Sequence, residues 1–220
     1  MSNSSSQSGV GLIEVMVAVL LLSIAVLGFS ALQMRAINAT DESLVRTKSL
    51  TVVRNITEIM RAYPEAYVTG SGTAYVSALP SVANAVPTIQ AVASSTATST
   101  VSIDSKAISI LSSANNCLST AVITTGAIKT PEQACNLNQL AARDALMVKK
   151  MAADEDIKMA VVTCPGTTVQ AIQKQMCVIT AWNDTKAILS DADTGDNANA
   201  CANSNGVYKT GSHCLISEAY

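Results

Sequence analysis

From Val10 to Leu32 the chain is almost wholly apolar, and the one charge in that run is Glu14. A helix needs about 20 such residues to cross the hydrocarbon of a bilayer, so this stretch reads as a membrane-grade helix. A secretory signal peptide has a shorter apolar region followed by a small-residue cleavage site. Here the sequence continues without a break, because Gln33 to Tyr63 contains no Gly or Pro. In that second stretch apolar residues recur at Val45, Val52, Ile56, Ile59 and Tyr63, the spacing of one helical face. Pro64 stops the helix, since proline lacks the N–H donor and restricts the residue before it. The two halves therefore join into one rod from Val10 to Tyr63, on the order of 80 Å long at 1.5 Å per residue. Only its second half is expected to lie against a globular domain. No sustained heptad with charged flanks supports a coiled coil.

Before the run stands Met1 to Gly9, short, polar and serine-rich, with nothing in it that could pack. The remainder, 64–220, is the size of one domain. Aromatics are scarce, with Phe29 and Trp182 each the only one of its kind. The formal net charge is −2, and the basic residues are scattered apart from Lys149-Lys150. No concentrated positive field is available for a phosphate backbone, so nucleic acid is not an expected partner.

All six cysteines, Cys117, Cys135, Cys164, Cys177, Cys201 and Cys214, follow the apolar run, and none forms a C-x-x-C pair. An even set of this kind reads as disulfides made in an oxidising compartment. Structural zinc would need closely spaced Cys or His pairs, and the lone histidine, His213, has no such partner. Six cysteines allow about 15 pairings, between which sequence alone does not choose. Local pairing is the expectation: Cys164 with Cys177 and Cys201 with Cys214 close short loops of similar size, leaving Cys117 with Cys135. In the chain-entropy picture each bridge contributes roughly 2–3 kcal/mol.

After Pro64 the texture shifts to Ala, Ser, Thr and Val, punctuated by Gly70, Gly72, Pro80 and Pro87, which reads as a loop region. Val92 to Ile110 reads as a strand or a short helix. Pro131 to Met151 reads as a second helix, with Thr130 as N-cap, Pro131 at the first helical position and Glu132 in the first turn. Leu137, Leu140, Ala141, Leu146 and Val148 would form its apolar side. The last third reads as antiparallel sheet. Ile157 to Cys164, ending at Pro165-Gly166, would pair with Gln175 to Asn183, with Cys177, Ile179 and Ala181 on one face and Val178, Thr180 and Trp182 on the other. Asp191 to Asn205 is a polar loop before a short stretch from Val207 to Ile216.

Glu14 is the residue most suggestive of function. An ionised carboxylate in hydrocarbon is costly and calls for a partner. Cleavage after Gly9 would make Val10 a new amino terminus, and the ammonium of a neighbouring chain could pair with this carboxylate as helices pack side by side. Unpaired, such a charge costs several kcal/mol, so pairing would link assembly to register. Elsewhere, Asp191, Asp193 and Asp196, with Asn197, offer oxygen ligands of the type calcium prefers. That loop lacks the twelve-residue pattern and its terminal Glu, so a solvated turn is the expected reading and no cofactor is expected. His213 stands beside Cys214, and no serine has nucleophile-elbow spacing. Catalysis is not expected.

The run Ser8-Gly9-Val10-Gly11-Leu12-Ile13-Glu14-Val15-Met16-Val17-Ala18 resembles the class III signal of type IV prepilins. The resemblance is strong over Gln7 to Gln33 and extends along the rest of the first helix. It implies that prepilin peptidase reads Gly9, that Val10 becomes the N-methylated terminus, and that Glu14 serves methylation and subunit docking. Ser23-Ile24-Ala25-Val26-Leu27-Gly28, Leu32-Gln33 and Val178-Ile179-Thr180-Ala181-Trp182-Asn183-Asp184 are similar to the PilV-type minor pilins. The pattern differs from the usual one in three ways. The leader has no Lys or Arg, position 10 is Val rather than an aromatic or Met, and no proline lies in the apolar helix. Arg35, Arg46 and Lys48 follow the apolar run, which by the positive-inside rule would hold the carboxyl domain in the cytoplasm. The cysteines argue for export instead.

The expected protein is α+β and pilin-like: leader 1–9, membrane and assembly half-helix 10–32, amphipathic half-helix 33–63, and a disulfide-stabilised domain 64–220 on an antiparallel sheet. The resemblance implies a minor pilin that primes or joins pilus assembly, in a tip complex supporting motility, adhesion or DNA uptake. Its implied partners are other minor and major pilins, prepilin peptidase and the inner-membrane assembly platform. The implied location is a single pass through the inner membrane, with a periplasmic carboxyl domain that moves into the pilus. Two rival expectations are a type II secretion pseudopilin and a membrane-anchored periplasmic binding module.

Overall fold

The computed structural model describes residues 9, 11–118, 121–131, 134–166 and 175–219. The chain divides into two units, Met1–Val45 and Arg46–Tyr220. One helix, α1 (Leu12–Ala62), runs through both of their sequences. In the first unit residues 11–41 are exposed throughout. Among the described residues α1 is the one helix long and apolar enough to cross a membrane. In the second unit α1 buries Ser49, Val52, Val53 and Ile56. That i, i+3, i+4, i+7 spacing is a single apolar stripe. Tyr63 N–H still donates to Ile59 O at 3.1 Å, and Pro64 ends the ladder there as expected.

The stretch expected as loop after Pro64 is instead sheet. Strands β1 (Tyr67–Ser71), β2 (Ala74–Ser77), β3 (Val86–Pro87), β4 (Thr100–Ile103) and β5 (Lys106–Ser109) form one sheet in the order β3-β1-β2-β4-β5. Its pairings are antiparallel except β2 with β4, which is parallel. Gly70, at φ 115°, permits the tight β1–β2 hairpin: a Cβ there would lie 2.7 Å from Ala74 O. The region from Val92 to Ile110 is divided between α2 (Thr88–Ser94), β4 and β5 rather than being one element.

The second helix begins later than expected. Thr130 and Pro131 end β7 (Ile128–Pro131), which pairs with β6 (Val122–Thr125) in a two-stranded ribbon exposed at every residue. The helix is α3 (Leu137–Asp154), and its N-cap is Asn136. Asn136 Oδ1 accepts from Gln139 N–H at 2.8 Å, while Gln139 Oε1 accepts from Asn136 N–H at 3.0 Å, a reciprocal capping box. Glu132 lies outside the described residues. The buried side of α3 is Gln139, Ala141, Ala142, Ala145, Leu146, Val148 and Ala152, and Leu137 is exposed. Small residues dominate that face, so α2 packs closely on α3.

β8 (Lys158–Thr163) and β9 (Met176–Ala181) pair antiparallel as expected, in register Val162 to Cys177. β12 (Cys214–Glu218) adds on the other edge of β9, giving the order β12-β9-β8. β9 is buried at every residue rather than on one face, because it is central and covered on both sides. β10 (Lys186–Leu189) pairs in parallel with β11 (Ala200–Ala202). The outer edge of β8 is closed by α2: Ser94 Oγ donates to Val161 O at 2.9 Å and accepts from Val161 N–H at 3.3 Å. The fold is α+β and pilin-like, a long N-terminal apolar helix followed by mainly antiparallel sheets and three disulfides.

Candidate functional site

The amino-terminal turn of α1 opens at Gly11, whose carbonyl accepts from Glu14 N–H at 2.9 Å and from Val15 N–H at 3.3 Å. The first N–H groups of a helix have no partner within it and carry partial positive charge. Glu14 lies in this first turn, the position where a carboxylate is most favourable on a helix. Ala18 and Leu22 follow on its face and Val15 and Val19 beside it, outlining a shallow depression next to the acid. Side chains all around this part of α1 are apolar and exposed, Leu12, Ile13, Val17, Leu20, Leu21, Ile24 and Leu27 among them. Its hydroxyls need no water: Ser23 Oγ donates to Val19 O at 2.7 Å and Ser30 Oγ to Val26 O at 2.9 Å. Such i−4 bonds let a polar side chain sit in apolar surroundings.

Gly9 is exposed, and a Cβ placed on it meets nothing within 4 Å. Among the described residues nothing packs against that position. Val10 and the leader residues 1–8 lie outside the described residues.

Residues 4–30 match the family model of the prokaryotic N-terminal methylation motif. This motif is type IV prepilin-like, and the match spans Gly9, Glu14 and the first part of α1. No curated protein and no solved structure matches the chain. The likeness therefore rests on the amino-terminal motif, and the PilV-type similarity further along has no support beyond the residues themselves.

The six cysteines form three bridges: Cys117–Cys135, Cys164–Cys177 and Cys201–Cys214, with Cα–Cα distances of 5.7, 4.8 and 5.8 Å. The first closes the segment that carries the β6–β7 ribbon. The second joins the adjoining ends of β8 and β9. The third ties β11 to β12 within a core cluster of Ala160, Ile179, Ala181, Ala187 and Ala202.

The aspartates considered for calcium are engaged with protein groups instead. Lys209 Nζ donates to Asp193 Oδ1 at 2.8 Å, and Lys186 Nζ donates to Asp196 O at 2.7 Å and Asp196 Oδ1 at 3.2 Å. Asp191 Oδ1 accepts from Ser204 N–H at 3.0 Å, and the Ser204 hydrogen bonds hold this carboxyl below its ordinary pKa. Among the described residues no group of three or more His, Cys, Asp or Glu is placed to hold a metal. Lysine ammonium groups supply the positive charge in this loop. His213 is exposed and is fixed through its backbone, with its carbonyl accepting from Trp182 N–H at 3.0 Å and its N–H donating to Thr185 Oγ1 at 2.8 Å.

Two polar features escaped the sequence reading. Asp104 accepts from Ser77 Oγ and from Asn136 Nδ2, the latter at 2.8 Å, which joins the β4–β5 turn to the α3 cap. Burial pushes the Asp104 pKa up, and the Ser77 and Asn136 hydrogen bonds outweigh that and bring it down. Lys149 reaches from α3 to the carboxyl end of α2, donating to Val92 O at 3.1 Å and also to Ser95 O. Burial lowers its pKa to about 8. The Asn136-x-x-Gln139 capping signature was readable in advance. The reach of Lys149 depends on tertiary placement and was not.

Proposed function

We propose that this chain is a minor type IV pilin. Its leader is removed between Gly9 and Val10, Val10 is N-methylated, and the apolar half of α1 anchors it once in the inner membrane with its carboxyl domain in the periplasm. It then enters a filament with other pilins, in a complex that primes assembly. The observation that carries this reading is the methylation motif at residues 4–30, whose part from Leu12 onward lies on a helix that is apolar all round, with one carboxylate in its first turn. The disulfide-bonded domain that follows fits an exported chain.

Glu14 would do its work at the transfer from lipid to filament. A carboxylate alone in hydrocarbon costs several kcal/mol, and a neighbouring subunit's Val10 ammonium offsets most of that cost when the helices align. Registry and assembly are then set by the same contact.

The test is co-expression with a prepilin peptidase, followed by mass spectrometry of the amino terminus. The expected product begins at N-methylated Val10. A product still beginning at Met1 or Ser2 rejects the reading. A Glu14→Ala variant is expected to stay in the membrane and be missing from sheared filaments, and its normal incorporation would remove Glu14 from the mechanism.

A further inference from the structure

The carboxyl-terminal region holds two adjoining polar depressions that share Ala198, Lys209 and Thr210. The first, of about 560 Å³, lies between the β9–β10 turn and the loop that leads into β12. The second, of about 520 Å³, is bordered by Tyr208, whose side chain is half exposed. Both volumes fall within the ~300–1,000 Å³ usual for small-molecule sites.

The backbone around them is fixed. The Cys201–Cys214 bridge closes the loop at its base. Lys209 N–H donates to Cys201 O at 3.1 Å, Ser212 N–H to Lys209 O at 3.0 Å, and Lys186 N–H to Asn199 O at 2.7 Å. Asn183 stands at φ 55°, a left-handed conformation that asparagine tolerates, and its carbonyl is held by Lys158 Nζ at 2.7 Å. Tyr208 is pinned through its hydroxyl, which accepts from Ile216 N–H at 3.0 Å.

The side chains at the mouth are in a different condition. In the neighbouring loop Asp191, Asp193 and Asp196 all have partners. Asp184 and Asn199 line the first depression, both are exposed, and neither side chain bonds to another protein group among the described residues. A hydrogen-bonded frame thus presents to solvent a carboxylate and an amide that no described protein group engages.

Charge narrows the ligand. Among the described residues Asp184 is the only carboxylate lining the first depression, and Asp191 and Asp193 in the second already accept from Ser204 and Lys209, which leaves too few free carboxylates for a hard divalent cation. Lys209 is the only ammonium there among the described residues, and Asp193 already holds it, which disfavours phosphate or sulfate. What remains suits neutral hydroxyl groups: a carboxylate accepts two of them, an amide both donates and accepts, and a tyrosine ring offers an apolar face. A sugar ring has that combination of hydroxyl rim and C–H face. We propose that these joined depressions bind a neutral saccharide chain, with Asp184 and Asn199 holding hydroxyls of one unit and Tyr208 stacking on the next. The site does not require the chain to polymerise, so it stands apart from the filament reading.

The test uses the full chain in a detergent without a sugar headgroup, with saturation-transfer NMR against chitobiose, lactose and cellobiose. At least one disaccharide is expected to bind with a Kd in the millimolar range. D184A and Y208A are each expected to weaken that binding about tenfold or more, with circular dichroism unchanged. N199A is the second polar variant, should D184A alter the fold. Preference for chitobiose would indicate an N-acetylated glycan such as a cell-wall strand, and preference for lactose a galactose-bearing surface glycan. Binding by none of the three overturns the proposal. So does binding that survives all three substitutions, or a stronger response to heparin than to the neutral sugars.

Discussion

Replacing Ile56 by alanine tests whether the domain is held by the stripe on the second half of α1. Ile56 is fully buried, at 0 % exposure, and lies in the stripe with Ser49, Val52 and Val53. The substitution removes an ethyl and a methyl group, a transfer loss of about 2.4 kcal/mol at ~0.8 kcal/mol per buried carbon. An unrelaxed cavity adds up to roughly 2 kcal/mol more, and the better helix propensity of alanine returns a few tenths. The expected cost is ~2–4 kcal/mol, read from urea unfolding of the full chain in detergent by far-UV and near-UV circular dichroism. Leu50→Ala is the internal control, since Leu50 is 41 % exposed and should cost less than ~1 kcal/mol. If Ile56→Ala lies within ~1 kcal/mol of the parent, or the two variants lose the same amount, the stripe does not anchor the domain.

Lys149 makes stability depend on pH in a defined window. Its folded pKa, lowered by burial to about 8, lies below the unfolded value of ~10.4, so between the two the unfolded chain binds the extra proton and stability rises with pH, by up to about tenfold in the unfolding constant per unit. Lys149→Met should flatten that rise in urea titrations between about pH 8 and 10, and an unchanged slope refutes the assignment. Above pH 10 the trend is opposed by Tyr63 and Tyr75, whose pKa values are raised first by burial and, for Tyr63, also by its hydrogen bond to Asp144. Stability from those two is full below ~10 and is lost as pH climbs through their raised values. Among the described residues Ser49 Oγ is buried with no hydrogen-bond partner, so Ser49→Ala should raise stability by ~1 kcal/mol, and a loss in thermal melts would show that the hydroxyl is satisfied after all. Replacing Cys201 and Cys214 together by alanine, a bridge across a sequence separation of 13, should lower stability by ~3 kcal/mol, and an unaltered denaturation midpoint would refute that.

How far the sequence foretold this structure depends on the length of each signal. α1 was legible because an uninterrupted run followed by a stripe at helical spacing leaves few alternatives, and Pro64 marks its end. The β8–β9 hairpin was legible because its two segments are six-residue strands bounded by Pro165-Gly166 and Asn183. The five-stranded sheet was hidden because β2, β4 and β5 are four residues each, too short to display a period of two. Thr130-Pro131 imitated a helix start, yet Asn136 and Gln139 supply the actual cap, and Pro131 sits at the end of an exposed strand where its missing N–H costs little. At the amino terminus the motif was readable at the level of Gly9 and Glu14. The depressions beside Lys209 were not, because they depend on how β10, β11 and the loop before β12 come together.

The two stretches of α1 answer to different surroundings. Between Arg46 and Ala62 the globular unit buries only one stripe of the helix, and the remaining residues there are polar or at least partly exposed. From Leu12 to Leu32 no polar face exists, and the serine hydroxyls are bonded inside the helix, so this part would suit lipid and the apolar faces of other helices equally. Transfer between those two environments changes little for the aliphatic side chains. On the proposed reading it would change much for Glu14, the one charged group in that stretch, according to whether an ammonium is near. A stability defect such as Ile56→Ala and an assembly defect such as Glu14→Ala should therefore separate cleanly. The first would weaken the domain while leaving the motif intact for processing. The second would leave the domain unfolding as the parent does while the chain stays behind in the membrane.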